Sequence, residues 1–517
     1  MSDKTAAPQV YGADEINSVV LDPGSYTVQA GYAGYDQPSI VIPSYYESIN
    51  QEIDSDKSNK INKIFDENLL FIKPNNNLNK IKPIMSNNLV IDWDGAMDQY
   101  NYIFKKLEIN PSEQPLLLTE STMNSYSNKL KSMEMAFENE QFCAFYIVKQ
   151  PTCVSFAHGR PNCLVVDIGH DLTTVTPVID GLCLRNQVKG TRFAGSFLNQ
   201  QLKQFLNNKS IIYQAPFMIK NKKCTYWEED NNSKNGSFEL IDNFEKFDSS
   251  INDFSYLRSL REMKELLLEC CMNEEILIPK DLLKEIESDS TRWFELPNGL
   301  NVPFTLYERQ KLSNSLFNPN DTLFDIIQGW ENYEDGNIID TIGTKNDLTS
   351  KEYIPLRRTK KNDDDDGSTD IQQQQQQQTP IPADDSSNTT TNGLPNNTET
   401  DASVKTENKS IGVTDLVQSV LEKLDIDLKP QLANNIVLTG STTLIPRLNE
   451  RLNNELSLLN PSLKIRVHSA GNTTERKYAS WIGGSILSSL GTFHQLWVSK
   501  AEYQEVGPDQ LIVNRFR

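Results

Sequence analysis

The chain is short of positive charge. Against 70 Asp and Glu it carries 50 Lys and Arg, a formal net charge of −20 over 517 residues. Such a surface repels a phosphate backbone, which argues against direct, sequence-specific DNA binding but leaves basic partners such as histone tails open. No run of 18 apolar residues occurs, so no membrane span is expected. The opening Met1-Ser2-Asp3-Lys4 lacks the apolar core of a secretory signal. Cysteine is also sparse. The seven (143, 153, 163, 183, 224, 270 and 271) are an odd number, mostly in apolar stretches, and read as reduced thiols in the cytosol or nucleus. Cys270-Cys271 has no His or Cys partner at ligand spacing and reads as core packing rather than a metal site.

What the chain does have is three glycine-bearing turns, each after a short apolar strand. They are Val19-Val20-Leu21-Asp22-Pro23-Gly24-Ser25, Leu164-Val165-Val166-Asp167-Ile168-Gly169-His170-Asp171 and Ile436-Val437-Leu438-Thr439-Gly440-Ser441-Thr442-Thr443. In the first two, a carboxylate ends the strand, glycine follows two residues later, and an alternating segment comes next: Tyr26, Val28, Ala30 and then Leu172, Thr174, Thr176, Val178. Strand, turn, strand predicts a hairpin whose tip exposes backbone N–H groups able to cradle phosphate oxygens. A carboxylate at each tip can hold Mg²⁺ through water, because Mg²⁺ keeps most of its hydration shell. One such turn is an ordinary tight turn in most proteins. Two, about 145 residues apart, predict a duplicated domain with a cleft between the copies.

At about 150 residues per domain the length allows two to four domains. Residues 45 to 80 are rich in Asn and Lys and read as an irregular loop or small subdomain. Helical spacing runs from Ile91 to Leu107 and from Asn128 to Phe142, with a short strand at Pro115 to Thr119 between them. Residues 205 to 255 read as mostly loop, followed by an amphipathic helix from Tyr256 to Met272. Residues 331 to 410 hold Asp363 to Asp366, seven consecutive glutamines and a Ser/Asn/Thr tract, too little apolar surface to offset the entropy of ordering, so disorder is the expectation. Within them, Arg357-Arg358-Thr359-Lys360-Lys361 reads equally as a nuclear-import patch or a solvated charge cluster. A helix is expected from Ile445 to Leu458, and Gly483-Gly484-Ser485 imply close approach of another backbone.

The stretches Tyr32-Ala33-Gly34, Leu117-Leu118-Thr119-Glu120, Phe294-Glu295-Leu296-Pro297-Asn298-Gly299, Glu475-Arg476-Lys477-Tyr478 through Leu487, and Thr492 through Lys500 resemble the actin superfamily. Within it, Ser155 through Asp171, Ile354 through Lys360 and the terminal Arg515-Phe516-Arg517 look like the nuclear actin-related proteins of the fourth class. The resemblance implies an α/β fold: a duplicated actin-like (ribonuclease-H-like) ATPase fold with two lobes, four subdomains and a central nucleotide cleft. It places 1–44, 82–157 and 479–517 in subdomain 1, 45–81 in a divergent subdomain 2, 158–193 and 325–478 in subdomain 3 with the insertion at about 331–410, and 194–324 in subdomain 4. It also implies ATP and Mg²⁺ as cofactors and the nucleus as location. The implied role is a structural subunit of histone acetyltransferase and ATP-dependent chromatin-remodelling complexes, pairing with nuclear actin on a helical segment of a scaffold ATPase and meeting other subunits, histones and nucleosomes. An enzyme of the same fold, such as a sugar kinase, and a cytoskeletal filament protein are the competing readings. The first lacks a motif for a carboxylate base beside a sugar pocket. The second is disfavoured by 45–80, which share little with the loop actins insert into a neighbour.

Carried over residue by residue, Asp22, Gly24 and Ser25 match the first phosphate loop, Asp167 and Gly169 the second, and Gly440 and Thr442 the third. Lys264 and Glu265 match an adenosine-contacting pair, and Lys477 a residue beside the adenine. Asp22, Asp167 and Gln150 would surround the metal through water, Gln150 standing where actins position the attacking water. The departures bear on chemistry. Gln29 stands for a lysine at the phosphates, Tyr26 and Ser441 for glycines, His170-Asp171 for Asp-Gly. Thr174 stands for a histidine that orders the hydrolytic water, and a hydroxyl cannot act as a base near pH 7 as imidazole can. The expectation is ATP binding with little or no hydrolysis. The expected helix-accepting groove at the base has walls from the segment before Ser155, the helix after Ile445 and the run ending at Trp497.

Overall fold

The computed structural model describes residues 17–49, 62–66, 79–228, 236–241, 248–272, 290–323, 339–340 and 411–516. The expected glutamine-rich disorder and the Arg357–Lys361 patch lie outside them. All but one pair of the residues expected to be disordered at 331–410 do so as well. That pair, Ile339–Asp340, is a strand, so the expectation of disorder from 331 onward does not hold there: its backbone continues a sheet edge, against Lys189 and Gly190.

Both predicted hairpins form. Strand β1 (Val19–Pro23) runs antiparallel to β2 (Thr27–Tyr32), with Asp22 opposite Gln29. Helix α1 (Gln150–Ala157) leads to β3 (Cys163–Ile168), which runs antiparallel to β4 (Thr173–Ile179), with Asp167 opposite Thr174. Each hairpin extends the same way. On one side a third antiparallel strand follows, Ile40–Pro43 beside β2 and Lys189–Thr191 beside β4. On the other side lie two parallel strands. Leu116–Glu120 and Ala144–Lys149 continue from β1, whereas β5 (Ile436–Thr439) and Val467–Ser469 continue from β3. This repeated order is the duplication that the paired glycine turns predicted.

Period-two alternation decides which side chains go where. In β1, Val19 and Leu21 enter one core and Val20 another; in β3, Leu164, Val166 and Ile168 separate likewise from Cys163 and Val165. The inner side of each sheet meets the same two helices, α1 and α3 (Ala479–Ser488). Cys153 of α1 and Trp481 of α3 pack with Val20 and Leu117 of the first sheet, while Val154 and Ala479 pack with Cys163, Val165, Val178 and Val437 of the second. The small residues of α3 allow this. A Cβ on Gly483 would lie 1.7 Å from the Cys153 carbonyl oxygen, which no rotamer change relieves. Trp481 is fully buried and its indole N–H donates to Val20 O at 3.1 Å.

Two of the expected elements need correction. The helix expected from Tyr256 to Met272 is α2, Ser249–Leu267. It begins earlier because Asp248 accepts from the Ser250 N–H as an N-cap, and Ile251 and Phe254 supply buried positions within a polar stretch. Residues 205 to 255 are less loop-like than their composition: Gly195–Asn208 is helical, and Ile219–Lys223 pairs with Ser237–Leu240. Of the two alternatives for residues 45–80, the described part is the small subdomain: Asn62–Ile64 and Lys80–Pro83 flank Tyr45–Ile49 in a small sheet. This sheet reaches α2, through the Tyr45 and Phe254 rings at 5.0 Å and the Ile81 N–H donating to Ser250 Oγ at 3.0 Å.

A buried charge cluster closes the end of Leu116–Glu120. Lys149 Nζ lies 2.7 Å and Lys129 Nζ 3.7 Å from Glu120, and Asn124 donates to the same carboxylate. Burial alone would raise the Glu120 pKa, but the two ammonium groups hold it below the usual carboxylate range. Lys129 also donates to the Phe516 carbonyl, tying down the chain end. Elsewhere the Val413 N–H donates to Leu316 O at 3.0 Å, so the chain returns beside the point it left before its long polar excursion.

Replacing Gly483 with alanine is expected to lower the thermal midpoint, by about 1–3 kcal/mol of stability or more because backbone must move. Gly491→Ala, where an added Cβ meets nothing within 4 Å, serves as the reference substitution in the same melts; a Gly483→Ala midpoint equal to wild type would refute the close-contact argument.

Candidate nucleotide-binding cleft

The two hairpin tips are built alike. The Gly24 N–H donates to Thr27 O at 3.0 Å and the Gly169 N–H to Leu172 O at 2.9 Å, each closing a turn just beyond an aspartate. The third loop completes the set through backbone conformation. Gly440 has φ +96°, and a Cβ there would lie 2.4 Å from Ile168 O and 2.5 Å from Asp167 Oδ1. Only glycine lets β5 deliver its loop against the Asp167 tip.

Asp22 is 5% exposed and accepts three hydrogen bonds at Oδ1: from the Thr119 hydroxyl, from Gln150 Nε2 at 3.1 Å and from Ser480 Oγ at 3.2 Å. Gln29, with its amide turned to satisfy its neighbours, donates to Asp22 O at 2.9 Å and to Oδ2 at 3.1 Å. Burial raises the Asp22 pKa in spite of these donors. Asp167 is pushed up to about 7, by burial first and by the charge of Asp22 second. Neither shift has a lysine or arginine among its causes. Two carboxylates, Asp22 buried and Asp167 half-buried, thus border one cavity with no cation partner among the described residues, the donor chemistry that suits a hydrated divalent ion.

Asp22, Gly24, Ser25, Gln150, Asp167, Gly169 and Gly440 border a cavity of ≈ 130 Å³. A larger one of ≈ 630 Å³ adjoins it, bordered by Lys264, Glu265, Thr442, Arg261 and Tyr478. Lys477 borders both, as do Tyr26, Thr27, Gln29, His170 and Ser441. The structure therefore brings together all eleven site residues read from the sequence. Lys264 is buried and donates to Gly195 O at 3.0 Å; burial, with the charge of Arg261, lowers its ammonium to about 8. Glu265 accepts from Arg261 Nε at 2.9 Å, and Thr442 Oγ1 donates to Gly169 O at 2.9 Å, locking the second and third loops. Burial also lowers the His170 pKa, so its ring is neutral at pH 7.

Several residues of the cleft escaped the sequence reading. Arg261 lies one helical turn before Lys264, a signal that was present. Thr119 and Ser480 fall within matched stretches but owe their roles to where Asp22 arrives. Asn88 has no sequence signal: at φ +60° its N–H donates to Ser25 Oγ at 2.8 Å and its Nδ2 to Gln150 Oε1 at 2.9 Å. Gln150 is thereby engaged at both ends of its amide.

Away from the cleft, Ile486, Leu490 and Leu496 are about 40% exposed, beside Phe156, Ile482 and Trp497, which pack on the Trp481 core. The helix after Ile445, Leu448–Leu459, does not join this strip. Its Leu448, Leu452 and Leu456 are spaced by one turn and point into the core of the second sheet's outer face, which corrects one expected wall of the groove. Cys270 and Cys271 are buried in the same half, and no cluster of three metal-ligating side chains occurs among the described residues.

The model of the family described as Actin matches residues 13–517. The chain belongs to the actin family. It is 40% identical over 521 residues to Actin-related protein 4 of Saccharomyces cerevisiae, covering 99% of each chain. It is 38% identical to Actin-related protein 4 of Candida albicans over 98% of each, and 38% identical to that of Debaryomyces hansenii over 100% of each. The two similarly built sheets with their hairpin tips facing one cleft are the actin fold, as the resemblance implied.

A carboxyl whose folded pKa is raised from 3.8 to about 7 removes stability as pH climbs through that interval, and the loss is complete above it. In nucleotide-free protein without divalent ions, Asp167→Asn should therefore raise the thermal midpoint, more at pH 8 than at pH 6. An equal gain at both values would show that ionisation is not the cause.

Proposed function

We propose that this protein is a nuclear actin-related subunit that binds ATP with Mg²⁺ as a structural element and hydrolyses it little or not at all. The observation that carries the reading is the pair Asp22 and Asp167 at the tips of two matching glycine turns, bordering one cavity with no cation partner among the described residues. Asp22, Asp167 and Gln150 would hold the metal through water, Ser25 would offer its hydroxyl to phosphate, and Gly24, Gly169, Gly440 and Thr442, whose own N–H or O–H groups close the loops, would bring the three loops up to it. Lys264, Glu265 and Lys477 border the roomier cavity, where a nucleoside fits. When bound, the metal neutralises phosphate charge and relieves the repulsion between the two carboxylates.

Slow hydrolysis is supported by how the remaining groups are spent. Thr174, opposite Asp167 in the hairpin, offers a hydroxyl where a base is needed. Gln150 is bonded to both Asp22 and Asn88, which fixes the direction of its amide and leaves one N–H and one lone pair to meet a water only where that fixed direction points. A ligand bound only to the folded state stabilises it by about 2.7 kcal/mol at a hundredfold excess over Kd, which is use enough for a nucleotide that is never turned over.

The exposed strip of Ile486, Leu490 and Leu496 supports a docking role. It has the apolar character that accepts an amphipathic helix. We assign it a helical segment of a scaffold ATPase, shared with nuclear actin, within histone acetyltransferase and chromatin-remodelling complexes, with histones and nucleosomes as further partners. This part rests on the likeness to the fourth class of actin-related proteins.

Purified protein is expected to retain ATP with Mg²⁺, and a phosphate-release assay should show turnover far below that of actin; actin-like turnover would sink the reading. Asp167→Ala should cut nucleotide retention measured after gel filtration. Co-expressed with actin and the scaffold helix, the chain should form a ternary complex on size exclusion, remain unpelleted under salt and Mg²⁺ that polymerise actin, and lose the complex on Leu490→Asp. A scaffold that binds actin equally well without this chain would dismiss the adaptor role.

A further inference from the structure

The six residues that border both cavities include two rings that meet across the cleft. Tyr26 comes from the first hairpin tip and His170 from the second, with ring centroids 5.0 Å apart and planes at 49°. The Arg261 guanidinium carbon, carried by α2, lies 4.8 Å from the Tyr26 centroid. We propose that Tyr26, His170 and Arg261 form a gate between the two cavities, which swings aside when a nucleoside triphosphate enters or leaves and re-forms over its phosphates. This rests on the nucleotide reading of the cleft.

Three observations favour a gate over simple packing. First, the contact joins the two hairpin tips at residues that line both the ≈ 630 Å³ and the ≈ 130 Å³ spaces, between the roomier cavity and the one that holds Asp22 and Asp167. Second, the ring side chain of Tyr26 stands at the tip of a phosphate-cradling turn, one residue past Ser25, where a smaller residue would leave the passage clear. Third, the neighbouring groups are themselves held: Asp171, next to His170, accepts from the Asn87 N–H at 2.9 Å, and Glu265 holds Arg261 at 2.9 Å. The rings contribute quadrupolar attraction and the guanidinium a cation–π contact in a partly desolvated setting, each modest and reversible. A closure of that strength slows passage without forbidding it.

A gate makes a kinetic signature that a ligand contact does not. Removing a contact raises only the dissociation rate, whereas removing a barrier raises association and dissociation together. The test is stopped-flow binding of etheno-ATP with Mg²⁺ to the full chain and to Tyr26→Ala, His170→Ala and His170→Phe. Both alanine variants, one from each half, should raise both rates by about tenfold with Kd little changed, and His170→Phe, which keeps a ring, should stay near wild type. Unchanged rates, or faster dissociation with unchanged association, would overturn the gate. If the wild type bound no etheno-ATP, the nucleotide reading would fall and the gate with it, an outcome distinct from binding with unchanged rates.

Discussion

The structure depends on one close contact, the backbone of Gly483 against that of Cys153. It sets the separation of α1 and α3, and these two helices are the filling between the inner faces of both sheets. The same helices supply the cleft. Gln150 opens α1 and Ser480 lies at the start of α3, and each donates to Asp22 from a position three residues before its helix reaches the contact. One helical turn therefore separates the packing constraint from the polar groups at the hairpin tip. A change in helix spacing would move Gln150 and Ser480 apart at Asp22 before it disturbed either sheet. The cleft is not a feature carved into a finished fold but the open end of the joint that holds the fold together.

Buried charge is arranged in two neighbouring centres of opposite sign. Asp22 and Asp167 form a site with excess negative charge, while Glu120 with Lys129 and Lys149 forms one with excess positive charge. Successive residues of one strand touch each: Thr119 donates to Asp22, and Glu120 receives the lysines. The positive centre is satisfied by side chains and by the Phe516 carbonyl, and so belongs to the folded chain alone. The negative centre keeps its strain, with one carboxyl titrating near neutrality. Such strain is stored where a ligand is meant to relieve it.

The parts legible in the sequence were those encoded by local spacing. The three glycine turns repeat a short register, and that register is what places Asp22 opposite Gln29 and Asp167 opposite Thr174. Gly483-Gly484-Ser485 announced a close approach, though not to Cys153. Composition misled where burial is one-sided. Ile251 and Phe254 anchor the first turns of α2 among polar neighbours, and the strands at 219–223 and 237–240 are mostly exposed, so their alternation is weak. The helix after Ile445 was placed on the wrong surface because periodicity shows that a face is apolar but not what covers it. Asn88 was invisible because its role follows from two successive left-handed residues, Asn87 and Asn88, that bring distant backbone to Ser25 and Gln150. Gln150 and Thr174 were legible as positions; that Gln150 is already engaged at both ends required coordinates.

The pairing of Leu316 with Val413, and the press of Gly412 against the Phe317 carbonyl, give the fold a port. Apart from Asp321, paired with Lys311, and Ile339–Asp340, paired with Lys189 and Gly190, the chain between them is bounded by ends that meet at one place, so its length and composition can change without altering the distance those ends must span. Loop closure rises only with the logarithm of length, about 0.6 kcal/mol per doubling. A lineage carrying this joint is free to try new sequence there, acidic or glutamine-rich or an entire added module, while the cleft goes on folding as before. The same place is where a reporter domain or an affinity tag could be spliced into the molecule with least disturbance.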